Sequence, residues 1–410
     1  MDKMLMIDQP INNRGDESAH KALVKSILQA MPNMHIQVLF VRENQDGINQ
    51  FKVCDARVTY INITSDDTSD NIFDRFFYKI ARFCPVFLKL HSVWKKIIPF
   101  YKDADIILCA PGGINMGGFQ SWRHLMFLLL AKYMRKPIAY YGRSIGPFPV
   151  ATVKNRLFKK KSLELLHYFS FLSLRDKKSM DLADSLGVIY VPTLDSAFLE
   201  SPKVDVPQNI SNLIGTKPYI IFVPNKLNWH FLYKRISLER ILNFYKRLLD
   251  VIVSKYPDHN IVMLPQTFNF DDKTRGDINF FRDFKQYSQC EKIIIIPDTC
   301  SSDIQQTIIS KADCMIGARY HSVVFAINQA ISFVALSYEH KIYGLADALH
   351  KTESVVDITR AFESEESMNG VVAQFFKALN FANKDVDAQI KAKKMAKKCF
   401  DELVSFLQKN

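Results

Sequence analysis

The sequence predicts an α/β protein of two doubly wound parallel-sheet domains. Three features support this: short unbroken apolar runs, longer stretches with helical spacing between them, and a mid-chain interruption after which the pattern restarts. A strand covered by helices on both faces reads as a continuous apolar run rather than an alternation. Regular alternation of such runs with helices argues for a parallel sheet.

In chain order, residues 4–7, 36–41, 105–110, 138–141, 171–174 and 188–191 are the strands of the first half. Residues 18–31 repeat apolar side chains at helical spacing. Residues 122–134 do likewise and end in Arg135-Lys136 before Pro137, a helix stop signal. Residues 177–186 form a helix with Asp176 as its N-cap. Residues 198–218 hold Pro202, Pro207 and Pro218 without a period, and 201–218 reads as a linker. The pattern then restarts, with strands at 219–223, 260–264, 292–296, 314–316 and 332–336. Helices fall at 238–255, 302–310 and 322–327, and a lysine-rich amphipathic helix at 385–407 closes the chain. The division is 1–200, 201–218, 219–384 and 385–410. Between two such domains the expectation is a cleft, because ligands of these sheets bind beyond the carboxyl ends of the strands, near helix N-termini.

Composition narrows the function classes. At 410 residues and 48% apolar side chains, the chain can bury two cores. Lys and Arg number 54 against 42 Asp and Glu, a net charge of +12 that suits phosphorylated molecules, anionic lipid or nucleic acid. No arginine-rich block, zinc finger or basic-region helix gives nucleic acid an element to bind, so it is not expected as a partner. The first residues lack the apolar stretch of a signal peptide, and the densest apolar run, 126–131, falls far short of the ~20 residues of a membrane helix. A cytoplasmic location follows as the expectation. The seven cysteines are scattered and never spaced C-x-x-C, which fits reduced thiols.

Several motifs sit where strands give way to helices. Pro111-Gly112-Gly113 follows 105–110, and paired glycines let backbone amides approach a ligand; a plain strand-to-helix turn explains them as well. Ser144-Ile145-Gly146-Pro147 follows 138–141, with Arg143 either facing the cleft or on the surface. Ser173-Leu174-Arg175-Asp176 puts Arg175 at a strand end, either gripping an anion or pairing with an acid. The strongest is Gly317-Ala318-Arg319-Tyr320-His321-Ser322. On an extended stretch Arg319 and His321 point the same way, toward a helix start at Ser322 whose free N–H groups favour an anion. A packed core histidine is the bland alternative. Tyr338-Glu339-His340-Lys341 offers an ammonium at the next strand end, or a solvated loop lysine. Asn13-Arg14-Gly15-Asp16-Glu17 reads as a turn with an acidic cap, or as a site where Asn13 and Asp16 meet acceptor hydroxyls. Residues 154–166 form a basic face, either solvated or resting on anionic lipid.

Taken in order, N-x-G-D-E, D-x-x-x-x-x-P-G-G, S-I-G-P, S-x-R-D-x-x-S, Pro192 with Asp195, A-R-x-H-S and Y-x-x-K resemble the polysaccharide pyruvyl transferase family over roughly residues 11–349. The resemblance implies a GT-B-like pair of Rossmann-like domains facing a cleft, with the terminal helix crossing back. It also implies phosphoenolpyruvate as donor, and a pyruvate ketal and phosphate as products. By motif, Arg319 and Lys341 would bind the donor with Ser322, Arg175 would be a further donor contact, and His321 would be the acid/base. Gly112, Gly113, Asn13, Asp16 and Arg143 would line the acceptor side. Arg143 departs from the family, in which glutamine commonly precedes S-I-G-P.

The chemistry suits these residue types. A carboxylate and a phosphate on one small donor need fixed cations, and protonating C3 of the enol needs an acid near pH 7, which suits histidine. No cluster of acidic metal ligands is evident, so neither metal nor cofactor is expected. The acceptor would be a sugar or a lipid-linked oligosaccharide, with peripheral contact to an anionic membrane at its inner face. A GT-B glycosyltransferase using a nucleotide-sugar is the alternative, and a non-catalytic binding protein with the same fold is another.

Overall fold

Unbroken apolar runs do become the buried strands of two parallel sheets in the computed structural model, which describes residues 1–64, 72–113, 115–118, 120–268 and 276–409. The chain divides into two units. One comprises Met1–Ile11, Ala19–Leu199 and Met395–Asn410; the other comprises Asn12–Ser18 and Glu200–Lys394.

The first unit contains β1 (Lys3–Ile7), β2 (His35–Val41), β3 (Val58–Ile63), β4 (Ile106–Cys109), β5 (Met116–Gly117), β6 (Ile138–Arg143), β7 (Ile145–Gly146), β8 (Phe171–Leu174) and β9 (Val191–Pro192). Its seven-stranded sheet runs β3-β2-β1-β4-β6-β8-β9, all parallel, with β5 and β7 pairing separately. The order reverses between β1 and β4, so the crevice beyond those two strands is the binding position such a sheet offers. Core packing explains the strands: Leu5, Ile7, Ile107, Cys109, Ile138 and Tyr140 are all buried beneath flanking helices that bring in Trp94 and Phe127. β3 was absent from the sequence reading because its residues are mostly only half-buried and give a weak apolar signal. The strand expected at 188–191 contracts to β9, since Ile189 is 93% exposed.

Two motifs of this unit hold each other. Ser173 accepts at Oγ from Gly142 N at 2.8 Å, and Ser179 accepts at Oγ from Ile145 N at 2.9 Å. Asp176 caps its helix by accepting from Ser179 N. Gly146 has φ +65° and lies so close to Leu182 that an added Cβ would sit 2.2 Å from it.

The second unit contains β10 (Tyr219–Val223), β11 (Asn260–Met263), β12 (Ile293–Ile295), β13 (Cys314–Gly317), β14 (Phe333–Ser337) and β15 (Val355–Asp357), in the order β12-β11-β10-β13-β14-β15. Its switch point lies between β10 and β13. The expected linker contains a helix, Gln208–Ile214, entered at Pro207 and left at Gly215 with φ +76°. The residues that looked like breakers bound a short helix that buries Ile210 and Ile214. The N-terminal segment 12–18 clusters with this unit rather than with the residues on either side of it. Asn13 bridges Thr267, Arg14 N donates to Gln266 O at 2.9 Å, and Phe268 N donates to Asn12 O at 3.1 Å. The first helix accordingly begins at Arg14, not at residue 18. The last helix, Val386–Lys409, contributes its residues from Met395 onward to the first unit, where Cys399, Leu403 and Leu407 are buried.

All seven cysteines are unpaired. Among the described residues, no helix is long and apolar enough to cross a membrane.

Candidate active site

In the second unit, the carboxyl ends of β10, β11, β13 and β14 gather most of the residues singled out from the sequence. β13 ends at Gly317, whose missing side chain admits Ser322: an added Cβ would lie 2.2 Å from Ser322 Oγ. The helix that follows is Tyr320–Asn328, with Arg319 as its extended N-cap. His321 is therefore in the first helical turn and not on an extended stretch, so it and Arg319 leave the backbone in different directions. Ser322 is fully buried, and its Oγ donates to Arg319 O at 2.6 Å, so its hydroxyl stabilises the turn.

Arg319 Nη2 donates to Thr267 Oγ1 at 3.1 Å and to the buried Asp277 carboxylate. Burial alone would lower the guanidinium pKa, but the Asp277 charge outweighs it and raises it. Arg319 Nε is buried without a hydrogen-bond partner among the described residues. Asp277 also accepts at Oδ2 from Gln266 N and Thr267 N, both at 2.9 Å, so the acid fixes the loop that in turn fixes the arginine.

His321 is buried and rests on Gly15. An alanine Cβ at that position would lie 1.7 Å from the imidazole Cγ, so only glycine leaves room for the ring. Gly15 is held in turn: its N–H donates to Asn13 Oδ1 at 2.7 Å, and Asn13 pairs with Thr267. The same loop thus supports both the guanidinium and the imidazole. Beside it, Arg14 and Glu17 form a buried ion pair at 2.6 Å, with the Arg14 guanidinium 4.3 Å from the Phe268 ring centroid. Asp16 lies half-buried at the start of the helix Arg14–Ala30.

Lys341 lies in the first turn of the helix His340–Ala348, after β14. Its Nζ is 3.6 Å from Glu339 Oε1, a loose contact that leaves the ammonium able to take another anion. Burial raises the pKa of the Tyr338 phenol well above its usual range, with Arg319 pulling it down and Glu339 pushing it further up. Trp229 and His230 pack edge-on against Tyr338 at 6.2 and 5.8 Å. Tyr338, Thr267 and Asp277 were not singled out from the sequence. Thr267 and Asp277 lie about 40–50 residues from Arg319 with no motif between them, so only the folded sheet brings them together.

The remaining sequence candidates lie in the first unit. Arg175 donates from Nη1 to the buried Asp195 at 2.7 Å, so here the acid-pairing reading fits better than the donor contact. Arg143 is fully buried and not cleft-lining: it donates to the carbonyls of Ala110 and Asp8, and its Nη2 lies 3.2 Å from Asp8 Oδ2. Gly112 lies against it, since an added Cβ would be 3.1 Å from the guanidinium, whereas an added Cβ on Gly113 would meet nothing within 4 Å.

Arg143 stands against Asp8, directly beyond β1 at the first switch point. Asp8 Oδ2 accepts from Asn115 Nδ2 at 2.9 Å and lies 2.6 Å from His124 Nδ1. Burial pushes this carboxyl up, but the charges of His124 and Arg143 and the bonds from His124 and Asn115 hold it well below the usual carboxylate range. Asp8, Cys109 and His124 could in principle offer ligand atoms to a metal ion, lying within 4.8 Å of one another. The guanidinium on the same carboxylate oxygen and a Cys109 thiol that burial pushes up to about 12 argue instead for an ion-paired cluster. Sequence reading missed it because Asp8 lies more than a hundred residues before its partners Asn115, His124 and Arg143.

Comparison with known proteins bears on the family and the fold. The family model for polysaccharide pyruvyl transferase matches residues 48–340. The "Amylovoran biosynthesis protein AmsJ" of Erwinia amylovora is 22% identical over 287 residues, 67% of each chain. Among solved structures, UDP-GlcNAc 2-epimerase from Neisseria meningitidis superposes with a TM-score of 0.58 at 12% identity, over 100% of both chains. Arabidopsis thaliana UGT89C1 superposes with a TM-score of 0.52 at 11% identity, over 99% of both. These likenesses show a GT-B-like fold.

Proposed function

This chain belongs to the polysaccharide pyruvyl transferase family, and from that premise we propose that it moves a pyruvyl group from phosphoenolpyruvate to two hydroxyls of a saccharide, forming a pyruvate ketal and releasing phosphate. The observation that carries the reading is the cationic end of the second sheet. Arg319 caps the helix after β13 whose first turn holds His321, seated on a glycine, and Lys341 opens the helix after the neighbouring β14. A donor with a carboxylate and a phosphate needs several fixed cations, and it has one carbon that must be protonated.

In this mechanism His321 delivers a proton to C3 of the enol, and positive charge develops at C2 and its oxygen. Arg319 and Lys341 hold the carboxylate and phosphate while one sugar hydroxyl adds to C2 and gives up its proton. The first hydroxyl's proton returns to His321, and the second hydroxyl displaces phosphate from C2, its proton leaving with the departing phosphate. The added atoms balance: one proton and one sugar oxygen across the double bond, then one sugar oxygen for one phosphate. Asn13, which holds Gly15, acts in this reading by positioning His321.

The name of the relative, a biosynthesis protein of the polysaccharide amylovoran, supports a polysaccharide or its precursor as acceptor. In this reading the reaction takes place in the cytoplasm, at the inner face of the membrane if the acceptor is lipid-linked. Supporting that, the helix Val153–Leu166 exposes Lys154, Arg156 and Lys160 beside Val153, a basic face with an apolar edge.

The test is a thermal-shift panel followed by mass spectrometry. Stabilisation by phosphoenolpyruvate, with addition of a pyruvate ketal to a glycan, is expected. Stabilisation by a nucleotide-sugar alone would favour a glycosyltransferase and sink the proposal.

A further inference from the structure

We propose that Asn225 is a further donor-binding residue, its amide Nδ2 joining Arg319 Nε to hold the carboxylate of the three-carbon donor. The inference deepens the reading above and rests on it for the identity of that donor.

Asn225 lies two residues beyond β10 and is fully buried, yet only one end of its amide is satisfied. Oδ1 accepts from Leu227 N at 3.2 Å and from Trp229 Nε1 at 2.9 Å. Both partners are donors only, so they fix which end of the amide is the oxygen. Nδ2 is buried without a hydrogen-bond partner among the described residues. Leaving such a donor unpaired costs about 1–3 kcal/mol, so stability alone does not account for an amide here. The turn that pins it includes Leu227 at φ 56°, a conformation that a bulky side chain seldom takes.

A second unpaired donor stands at the same level of the neighbouring strand. Asn225 and Arg319 each lie two residues beyond the paired Val223 and Gly317 of the parallel β10 and β13. Arg319 Nε is likewise buried without a partner, while Nη2 is held by Thr267 and Asp277. The Tyr245 hydroxyl ties the two residues together: it accepts from Asn225 N at 3.1 Å, and the Arg319 charge acts on the same phenol.

The charge of the pair selects the ligand. Arg319 already faces the Asp277 carboxylate, so its Nε–H and a neutral amide N–H suit a planar, singly charged carboxylate. A phosphate with about two charges is better served by the loosely held ammonium of Lys341. Neither Nδ2 nor Nε is exposed to water, so the carboxylate enters as Trp229, the 53%-exposed ring bonded to the same amide, shifts.

The experiment is calorimetric titration of the full chain with phosphoenolpyruvate and with pyruvate, which keeps the carboxylate and lacks the phosphate. The wild-type protein is expected to bind both, phosphoenolpyruvate more tightly. Asn225→Asp keeps an oxygen for Leu227 and Trp229 and puts a second oxygen where the donor was. It should weaken both ligands roughly 10- to 100-fold, the range of a hydrogen bond to a charged group. Undiminished binding of either ligand by the folded variant overturns the inference, as does a wild-type protein that binds neither. A loss confined to phosphoenolpyruvate would assign the amide to the phosphate instead. Should Asn225→Asp fail to fold, the fluorescence of Trp229 in the wild-type protein decides, since Trp94 and Trp122 are buried in the first unit. Pyruvate should change it and inorganic phosphate should not; silence towards pyruvate, or a response to phosphate, overturns the inference. Pyruvate binding that depends on Asn225, in a protein that does not bind phosphoenolpyruvate, would support the carboxylate site and count against the reaction proposed above.

Discussion

The two switch points are built on the same topology but present opposite charge. Beyond β1 and β4 the centre is a carboxylate, Asp8, whose neighbours are a guanidinium, an imidazole and an amide. Beyond β10 and β13 the centre is a guanidinium, Arg319, whose neighbours are a carboxylate and a hydroxyl, with the start of a helix beside it. A parallel sheet offers the crevice in both cases; the side chains placed there decide what it takes. Each centre is an arginine–aspartate pair, with the carboxylate central in the first and the guanidinium in the second. The second unit also holds the N-terminal segment 12–18, so its imidazole is seated by residues that precede almost all of the first unit in sequence.

The sharpest way to break this contrast is to remove the imidazole. His321→Ala is expected to reduce kcat by roughly 10²–10⁴ while leaving the melting temperature near that of the wild type. Near-normal turnover would take His321 out of the mechanism. Gly15→Ala should reproduce much of that loss without touching the histidine, because the new Cβ would occupy the space of the ring. The same methyl group placed on Gly113, in the first unit, should be tolerated by the fold, since nothing lies within 4 Å of it.

Next in size is the Arg319–Asp277 pair. Arg319→Ala leaves a buried carboxylate without its charge partner, a change that typically costs about 3–5 kcal/mol of stability. Arg319→Lys retains the charge but loses the fork that reaches both Thr267 and Asp277. Denaturant unfolding should rank wild type above Lys above Ala. Equal stability in all three would mean that Asp277 is solvated or protonated and the arginine is not clamped.

Much of this was legible in the sequence, and the gaps have physical causes. Strands such as β10 and helices such as Leu238–Lys255 and Ser302–Ser310 were read to the residue, because burial on both faces or on one stripe leaves a clear apolar period. The half-buried β3 and the proline-bounded helix Gln208–Ile214 were not read, because neither has that contrast. In the candidate site, Arg319, His321 and Lys341 were singled out from their positions at strand ends. Their supports were not: Gly15 read as part of a cap, though it is the seat of the imidazole, and Asp277 carries no local signal at all. Arg143 was misread, and Arg175 stayed between two readings, for one reason: an arginine at a strand end looks the same in sequence whether it faces a ligand or a buried carboxylate or carbonyl.

Lys341 tests the looser side of the anionic site. With its ammonium in only a loose contact, 3.6 Å from Glu339, Lys341→Met should raise the KM for phosphoenolpyruvate roughly tenfold, as a removed charge contact worth about 1.4 kcal/mol would, with little change in stability. Unchanged KM would confine the donor site to Arg319 and the helix start.

The smallest effect separates the two units by pH. Burial, with a minor contribution from Lys21, lowers the His20 pKa to about 3, and His20 is neutral between Gln9 and Tyr60 in the first unit. Burial also lowers that of His124, against the pull of Asp8. In the unfolded chain such groups titrate near 6.5. Below that pH the unfolded state binds protons that the folded state does not, so stability falls as pH drops from about 6.5 toward 3. The slope is about 1.4 kcal/mol per pH unit for each such group. Amide exchange at pH 7 and pH 5 should therefore show protection lost in β1 and the helix Arg14–Ala30 before β10 and β13. His20→Gln, which keeps a polar partner for Gln9 and Tyr60 but cannot be protonated, should flatten that difference. An unchanged difference in the variant would assign the acid sensitivity to His124 and its carboxylate instead.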